Sequence, residues 1–148
     1  MDKLKLALWG TGALVVAILT GYLYGWWGAS GFAEQRDHAM LRLQLSQATA
    51  FVLDARVNIY TTNFGNASKQ LEQAKRYVAA VRPLLQSRGP RDQVKELDAA
   101  ATAIDEAQAL TRKFSQDANG RAEDAVELIR AVYWATPSPA PAQGEVTR

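Results

Sequence analysis

From Leu6 to Ala33 the chain runs 28 consecutive residues without one Asp, Glu, Lys, Arg or His. As a helix rising 1.5 Å per residue, such a run is roughly 42 Å long, and about 20 apolar residues suffice to cross the hydrocarbon of a bilayer. Its densest part is LALWGTGALVVAILTGYLY, residues 6–24. Trp9 stands near one end, while Tyr22, Tyr24, Trp26 and Trp27 crowd the other. Amphipathic rings favour the headgroup layer, so these five are the expected membrane-interface aromatics. A buried core helix is the other fate open to an apolar run. The 115 residues after Ala33 are too few to wrap one on all sides. A transmembrane helix is therefore expected over 6–28.

A cleaved signal peptide is weighed and set aside. The start, Met1-Asp2-Lys3-Leu4-Lys5, has the basic character of an n-region, and Gly31-Phe32-Ala33 has small residues where a peptidase cuts. The apolar run is too long for an h-region, and bulky rings crowd the segment before the cut. An uncleaved signal anchor fits better. Lys3 and Lys5 precede the run, whereas Arg36 beyond it is offset by Glu34 and Asp37. Positive charge stays inside. This predicts residues 1–5 in the cytoplasm, a single pass through the cell (inner) membrane, and residues 29–148 in the periplasm or its extracytoplasmic equivalent. No cysteine is present, which excludes a lipoprotein anchor along with disulfides, thiolate metal sites and a thiol nucleophile.

One face of the apolar run carries Ala13, Ala17, Gly21, Gly25 and Ala29 at four-residue spacing. Small residues let two helix backbones approach in lipid, so this face is the candidate for packing against another transmembrane helix. Half of residues 6–33 are Gly, Ala, Ser or Thr (14 of 28), so small residues are frequent on its other faces as well. The Gly10-Thr11-Gly12 triplet lacks the preceding strand and third glycine of a dinucleotide loop, and no Gly-Lys-Ser/Thr follows.

Beyond Ala33 the chain is a nearly neutral soluble sequence with 15 basic and 14 acidic side chains. Its apolar residues recur at alternating steps of four and three, the period of packed helices. A first helix is expected over about 33–62, with Leu41, Leu45, Ala48, Val52, Ala55, Ile59 and Thr62 inward and His38 extending the stripe backwards. Asn63-Phe64-Gly65-Asn66 should end it, with Asn66 capping the next helix. A second helix is expected over 67–87 with Ala67, Leu71, Ala74, Val78, Val81 and Leu85 inward and Pro83 bending its last turn. Arg88-Gly89-Pro90 stops it and starts a third over 91–117, carrying Val94, Leu97, Ala101, Ile104, Ala107 and Phe114. Asp117-Ala118-Asn119-Gly120 reads as a turn before a short helix over 121–134 with Ala122, Ala125, Ile129 and Val132 inward; one continuous helix is the alternative. Residues 136–148 form a proline-rich tail that cannot bury apolar surface. Short loops force antiparallel neighbours. The expected fold class is all-α: one transmembrane helix followed by an antiparallel bundle of three helices, with a fourth if the last break is real.

Little in this chain can do chemistry. His38 is the single histidine and has no second ligand in sequence reach. Asp105-Glu106 and Glu123-Asp124 point about 100° apart on a helix, so neither pair is an acid–base couple. No serine has a His–Asp companion. Lys69, Lys75, Arg76, Arg82 and Arg88 make the second helix basic, and Asp92, Glu96, Asp98, Asp105 and Glu106 make the third acidic, which predicts salt bridging between the two. A net charge of +2 and the absence of any binding motif argue against nucleic acid. Asn66-Ala67-Ser68 is a glycosylation sequon only if a eukaryotic secretory pathway makes the chain.

No catalytic residue, cofactor or metal is expected. The partners are the bilayer and other transmembrane subunits, a hetero-complex in preference to a homodimer. Tyr60 and Phe64 at the end of the first helix, and Tyr133 and Trp134 at the end of the last, are the candidate partner contacts outside the membrane. The expected role is a non-enzymatic accessory subunit of a membrane complex, with energy-transducing assemblies as an analogy. A tethered helical sensor, adaptor or ligand-binding bundle is the alternative.

Overall fold

The computed structural model describes residues 18, 20 and 35–138. The chain divides into two compact units, 1–36 and 37–148. The segment expected to cross a membrane, with its small-residue ladder and its aromatic ends, lies outside the described residues except for Ile18 and Thr20, which are helical and exposed. Among the described residues no helix is long and apolar enough to cross a membrane. The tail beyond 138 also lies outside them.

The second unit is all-helical, with no strand among the described residues. Four helices follow one another: α1 over 35–60, α2 over Phe64–Arg88, α3 over Arg91–Arg112 and α4 over Ala118–Ala135. The conditional fourth helix is thus a full member of the bundle, 18 residues long. Side chains join the helices into a closed ring. Phe51 of α1 stacks on Tyr77 of α2. Lys75 and Arg82 of α2 pair with Asp105 and Asp98 of α3, the salt bridging that the two charged faces imply. Arg121 of α4 pairs with Glu106 of α3. Arg56 near the end of α1 meets Asn119 and Glu123 at the start of α4, closing the ring. Every adjacent pair is antiparallel.

The core follows the four-three stripes. Leu41, Leu45, Ala48, Val52, Ala55 and Ile59 of α1 are buried, as are Ala67, Leu71, Ala74, Val78, Val81 and Leu85 of α2. Ten of the 23 buried apolar residues among those described are alanine, interleaved with Leu, Ile and Val along each stripe. In α3 the inward stripe is wider than the spacing alone indicated. Ala100, Ala103, Gln108 and Thr111 are buried beside Leu97, Ile104 and Ala107, while Val94 and Ala101 sit at the core's edge. A helix flanked by two neighbours buries a broad arc, not a single seam. The Thr111 hydroxyl is satisfied by donating to the Ala107 carbonyl, 2.8 Å away.

The turns correct the sequence reading in three places. α1 ends in a Schellman motif whose left-handed residue is Thr62, at φ 60°, and not a glycine or asparagine. Its two bonds are Thr62 N–H to the Ile59 carbonyl at 3.0 Å and Asn63 N–H to the Asn58 carbonyl at 2.7 Å. Thr62 is therefore exposed outside the helix instead of lying in the core. The cap of α2 is Asn63, whose side chain accepts from the Asn66 N–H, so Asn66 itself is already helical. α3 ends five residues before the expected 117, in a second Schellman motif with Phe114 at φ 56°. Phe114 N–H reaches the Thr111 carbonyl at 3.0 Å and Ser115 N–H reaches the Leu110 carbonyl at 3.1 Å. Phe114 is turned out of the core and 75% exposed. The break is thus at 113–117, where Ser115 Oγ accepts from the Asp117 N–H, and Asn119 and Gly120 lie in the first turn of α4.

At the opposite end α2 runs through Pro83 to Arg88. A Cβ on Gly89 would lie 2.8 Å from the Leu85 carbonyl oxygen, which accounts for glycine there. Pro90, extended at φ −62° and ψ 144°, caps α3 from just outside.

Candidate interaction surface

The bundle's outer surface is uneven. Helices α2, α3 and α4 face outward mainly with polar and charged side chains such as Lys69, Arg76, Lys95, Asp124 and Glu127. α1 differs. Of the eight exposed large hydrophobic residues among those described, five belong to it: Met40, Leu43, Leu53, Val57 and Tyr60. Val57 is 64% and Tyr60 79% exposed. Isolated exposed apolar residues are ordinary; Leu43, Leu53, Val57 and Tyr60 share one side of α1, the kind of surface that marks contact with another protein.

The four aromatic residues expected to contact partners fall into two groups at opposite ends. Tyr60 is open to solvent, and Phe64 is partly buried with its ring edge-to-face on Phe114, centroids 5.7 Å apart. The two Schellman turns thus bring the Phe64 and Phe114 rings together at the end of the bundle where α1 finishes. At the other end Tyr133 is partly buried beneath Arg42, whose guanidinium carbon lies 4.3 Å from the ring centroid. Trp134 stands against Tyr133 at 5.1 Å, nearly perpendicular, and is 72% exposed. Tyr133 covers the end of the bundle and Trp134 faces outward.

Sequence reasoning missed Met40, Leu43, Leu53, Val57 and Phe114. The signal for the first four was present, because α1 carries a second run of uncharged positions out of phase with its core stripe. Phe114 was missed because its position was read as helical, where it falls in phase with the core.

A cleft of ≈ 200 Å³ lies at the Trp134 end, between the start of α1, the α2–α3 loop and the end of α4. Its walls are mostly apolar, Leu41, Leu85 and Pro90 among them, with His38 and Gln93 also lining it. Gln93 is committed to the Ala135 carbonyl at 3.1 Å. The cleft is smaller than the usual ligand pocket of about 300–1,000 Å³. Among the described residues no three His, Cys, Asp or Glu side chains gather as a metal site. No protein family, no curated protein and no solved structure matches this chain.

Proposed function

We propose that this chain is a non-enzymatic, membrane-anchored docking subunit of a larger membrane protein complex. The uncharged run over 6–28 anchors it as a single-pass helix with residues 1–5 in the cytoplasm, and the helical bundle stands in the periplasmic or equivalent space. The observation that carries the reading is the exposed apolar face of α1, which is costly to leave in water and has no counterpart on α2, α3 or α4. The ladder Ala13, Ala17, Gly21, Gly25 and Ala29 packs the anchor laterally against other transmembrane subunits. A ligand-binding bundle has less support, since the cleft at the Trp134 end is small with its Gln93 amide already engaged, and the wider cleft of ≈ 310 Å³ beside Lys69, Glu72 and Arg76 is open to solvent.

The experiment is extraction of the full chain from native membranes in mild detergent. The reading requires retention in the membrane through an alkaline wash, followed by recovery in a stoichiometric assembly. Release by the wash, or recovery only as a 16.2 kDa monomer, overturns it. The double change Gly21→Ile/Gly25→Ile should free the subunit from its lateral partner, and unchanged co-purification would remove the ladder from the account.

A further inference from the structure

Along the helices many cations are neutralised: Arg56, Lys75, Arg76, Arg82, Lys95 and Arg121 each have a carboxylate within salt-bridge distance. Three exposed cations at one end of the bundle differ. Lys69 near the start of α2, Arg112 in the last turn of α3 and Lys113 just beyond it have no ion pair among the described residues. The negative end of α3 favours cations in its last turn, which accounts for the place of Arg112 and Lys113 but leaves their outward charge uncompensated. The carboxylates nearby are engaged. Asp117 accepts from the Ser115 hydroxyl at 3.0 Å, and Glu72 accepts from the Gln108 amide at 3.3 Å with Arg76 at 3.9 Å.

These cations border an open groove of ≈ 310 Å³ between α2 and α3, lined on α2 from Gly65 to Arg76 and on α3 by Gln108. The Glu72–Gln108 contact fixes the register of the two helices, and one turn further on Ser68 comes opposite Arg112. At the mouth of the groove Gly65 follows Phe64, whose ring meets that of Phe114. Phe114 is 75% exposed and held at φ 56°, a conformation that glycine would fill without strain. We infer that this end of the bundle binds an acidic segment of a partner protein. The segment's carboxylates pair with Lys69, Arg112 and Lys113, and one of its apolar side chains packs on Phe114. The inference stands apart from the outer face of α1 and from the anchor.

The groove's chemistry selects a peptide over other anions. Ser68 and Gln73 line it beside Lys69, and their hydroxyl and amide groups can pair with a peptide backbone. Glu72 sits in the middle of the same lining. Its carboxylate repels a continuous polyanion such as a phosphate backbone, whereas a peptide can set a backbone N–H opposite it and keep its carboxylates for the cations on either side. Exposed charge pairs of this kind set the encounter rate and the salt dependence more than the affinity, and the Phe114 ring supplies the apolar contact.

The test uses the full chain in mild detergent and a fluorescent synthetic peptide rich in Glu with a single Leu. Binding should saturate, weaken as salt is raised, and fall roughly tenfold in the triple variant Lys69→Gln/Arg112→Gln/Lys113→Gln. The same peptide with Gln in place of every Glu should not bind. Phe114→Gly separates contact from fold: its melting temperature should hold or rise, because glycine relieves the left-handed strain, while its affinity for the peptide falls. Absence of saturable binding overturns the inference, as does a triple variant that binds like the parent. An oligonucleotide of equal charge, or inorganic phosphate, that competes on equal terms also overturns it, since either makes this surface a general anion site. None of these outcomes bears on the outer face of α1, whose docking is read from the mass of the extracted assembly.

Discussion

The guanidinium carbon of Arg42 lies 4.3 Å from the centre of the Tyr133 ring, and its Nη1 donates to the Thr136 carbonyl at 3.2 Å. These two contacts fasten α1 to the end of α4 across 91 and 94 positions of the chain. A cation over an aromatic face contributes about 0.5–1 kcal/mol at an exposed site, and the hydrogen bond adds a comparable amount. Arg42→Ala should therefore cost about 1–2 kcal/mol in chemical denaturation, with faster amide exchange confined to the last turn of α4. Arg42→Lys keeps the charge but loses the planar stack, and should fall between the two.

The turn geometry predicts that two opposite substitutions, one to glycine and one from glycine, both stabilise. Thr62 occupies a left-handed conformation at φ 60°, which costs a residue with a β-branched side chain about 1–2 kcal/mol. Thr62→Gly should raise stability by about 0.5–1 kcal/mol, net of the extra freedom glycine gives the unfolded chain. Gly120 lies in the first turn of α4 with nothing within 4 Å of its would-be Cβ, and Gly120→Ala should stabilise by a similar amount. Were Gly120 the hinge of a turn, the same change would destabilise. Thermal melts of the two variants decide between these placements.

The core is open to two faults, overpacking at its alanines and cavities at its large residues. Ala74 and Ala107 are fully buried. Ala74→Leu or Ala107→Leu should cost about 1–3 kcal/mol by forcing backbones apart. Leu45→Ala and Ile104→Ala open cavities and should cost about 2–5 kcal/mol.

The interhelix ion pairs should divide by burial. The Arg56 side chain is 27% exposed and makes two contacts on α4, at 2.8 Å to Asn119 and 3.2 Å to Glu123. Lys75, 44% exposed, meets only Asp105. Arg56→Ala should cost about 1–2 kcal/mol and Lys75→Ala under about 1 kcal/mol, with the second loss vanishing at high salt.

The inner seams were legible in the sequence because a buried stripe leaves a strong periodic mark. All six predicted core positions of α2, and all four of α4, are buried. The turns were less legible. Asn63, Phe64, Gly65 and Asn66 look like a loop, as do Asp117, Ala118, Asn119 and Gly120, because these residue types tolerate loops. Tertiary packing instead drew most of both segments into helix and left Thr62 and Phe114 to take the strained positions. The α1 surface was written in the sequence as plainly as its core. It was overlooked because one periodic stripe suffices to place a helix, and a second stripe gains meaning only when the first is seen to be buried.

The proposed docking role requires the outer face of α1 to be covered by protein. The most direct measurement is the mass of the full chain extracted in mild detergent, compared with that of Leu53→Glu/Val57→Glu. Both residues are exposed in the bundle, so the double change should leave its melting nearly unaltered. The prediction is a parent assembly well above 16.2 kDa that loses mass when the two charges are introduced. An assembly of unchanged mass, or a parent that is already monomeric, would contradict it.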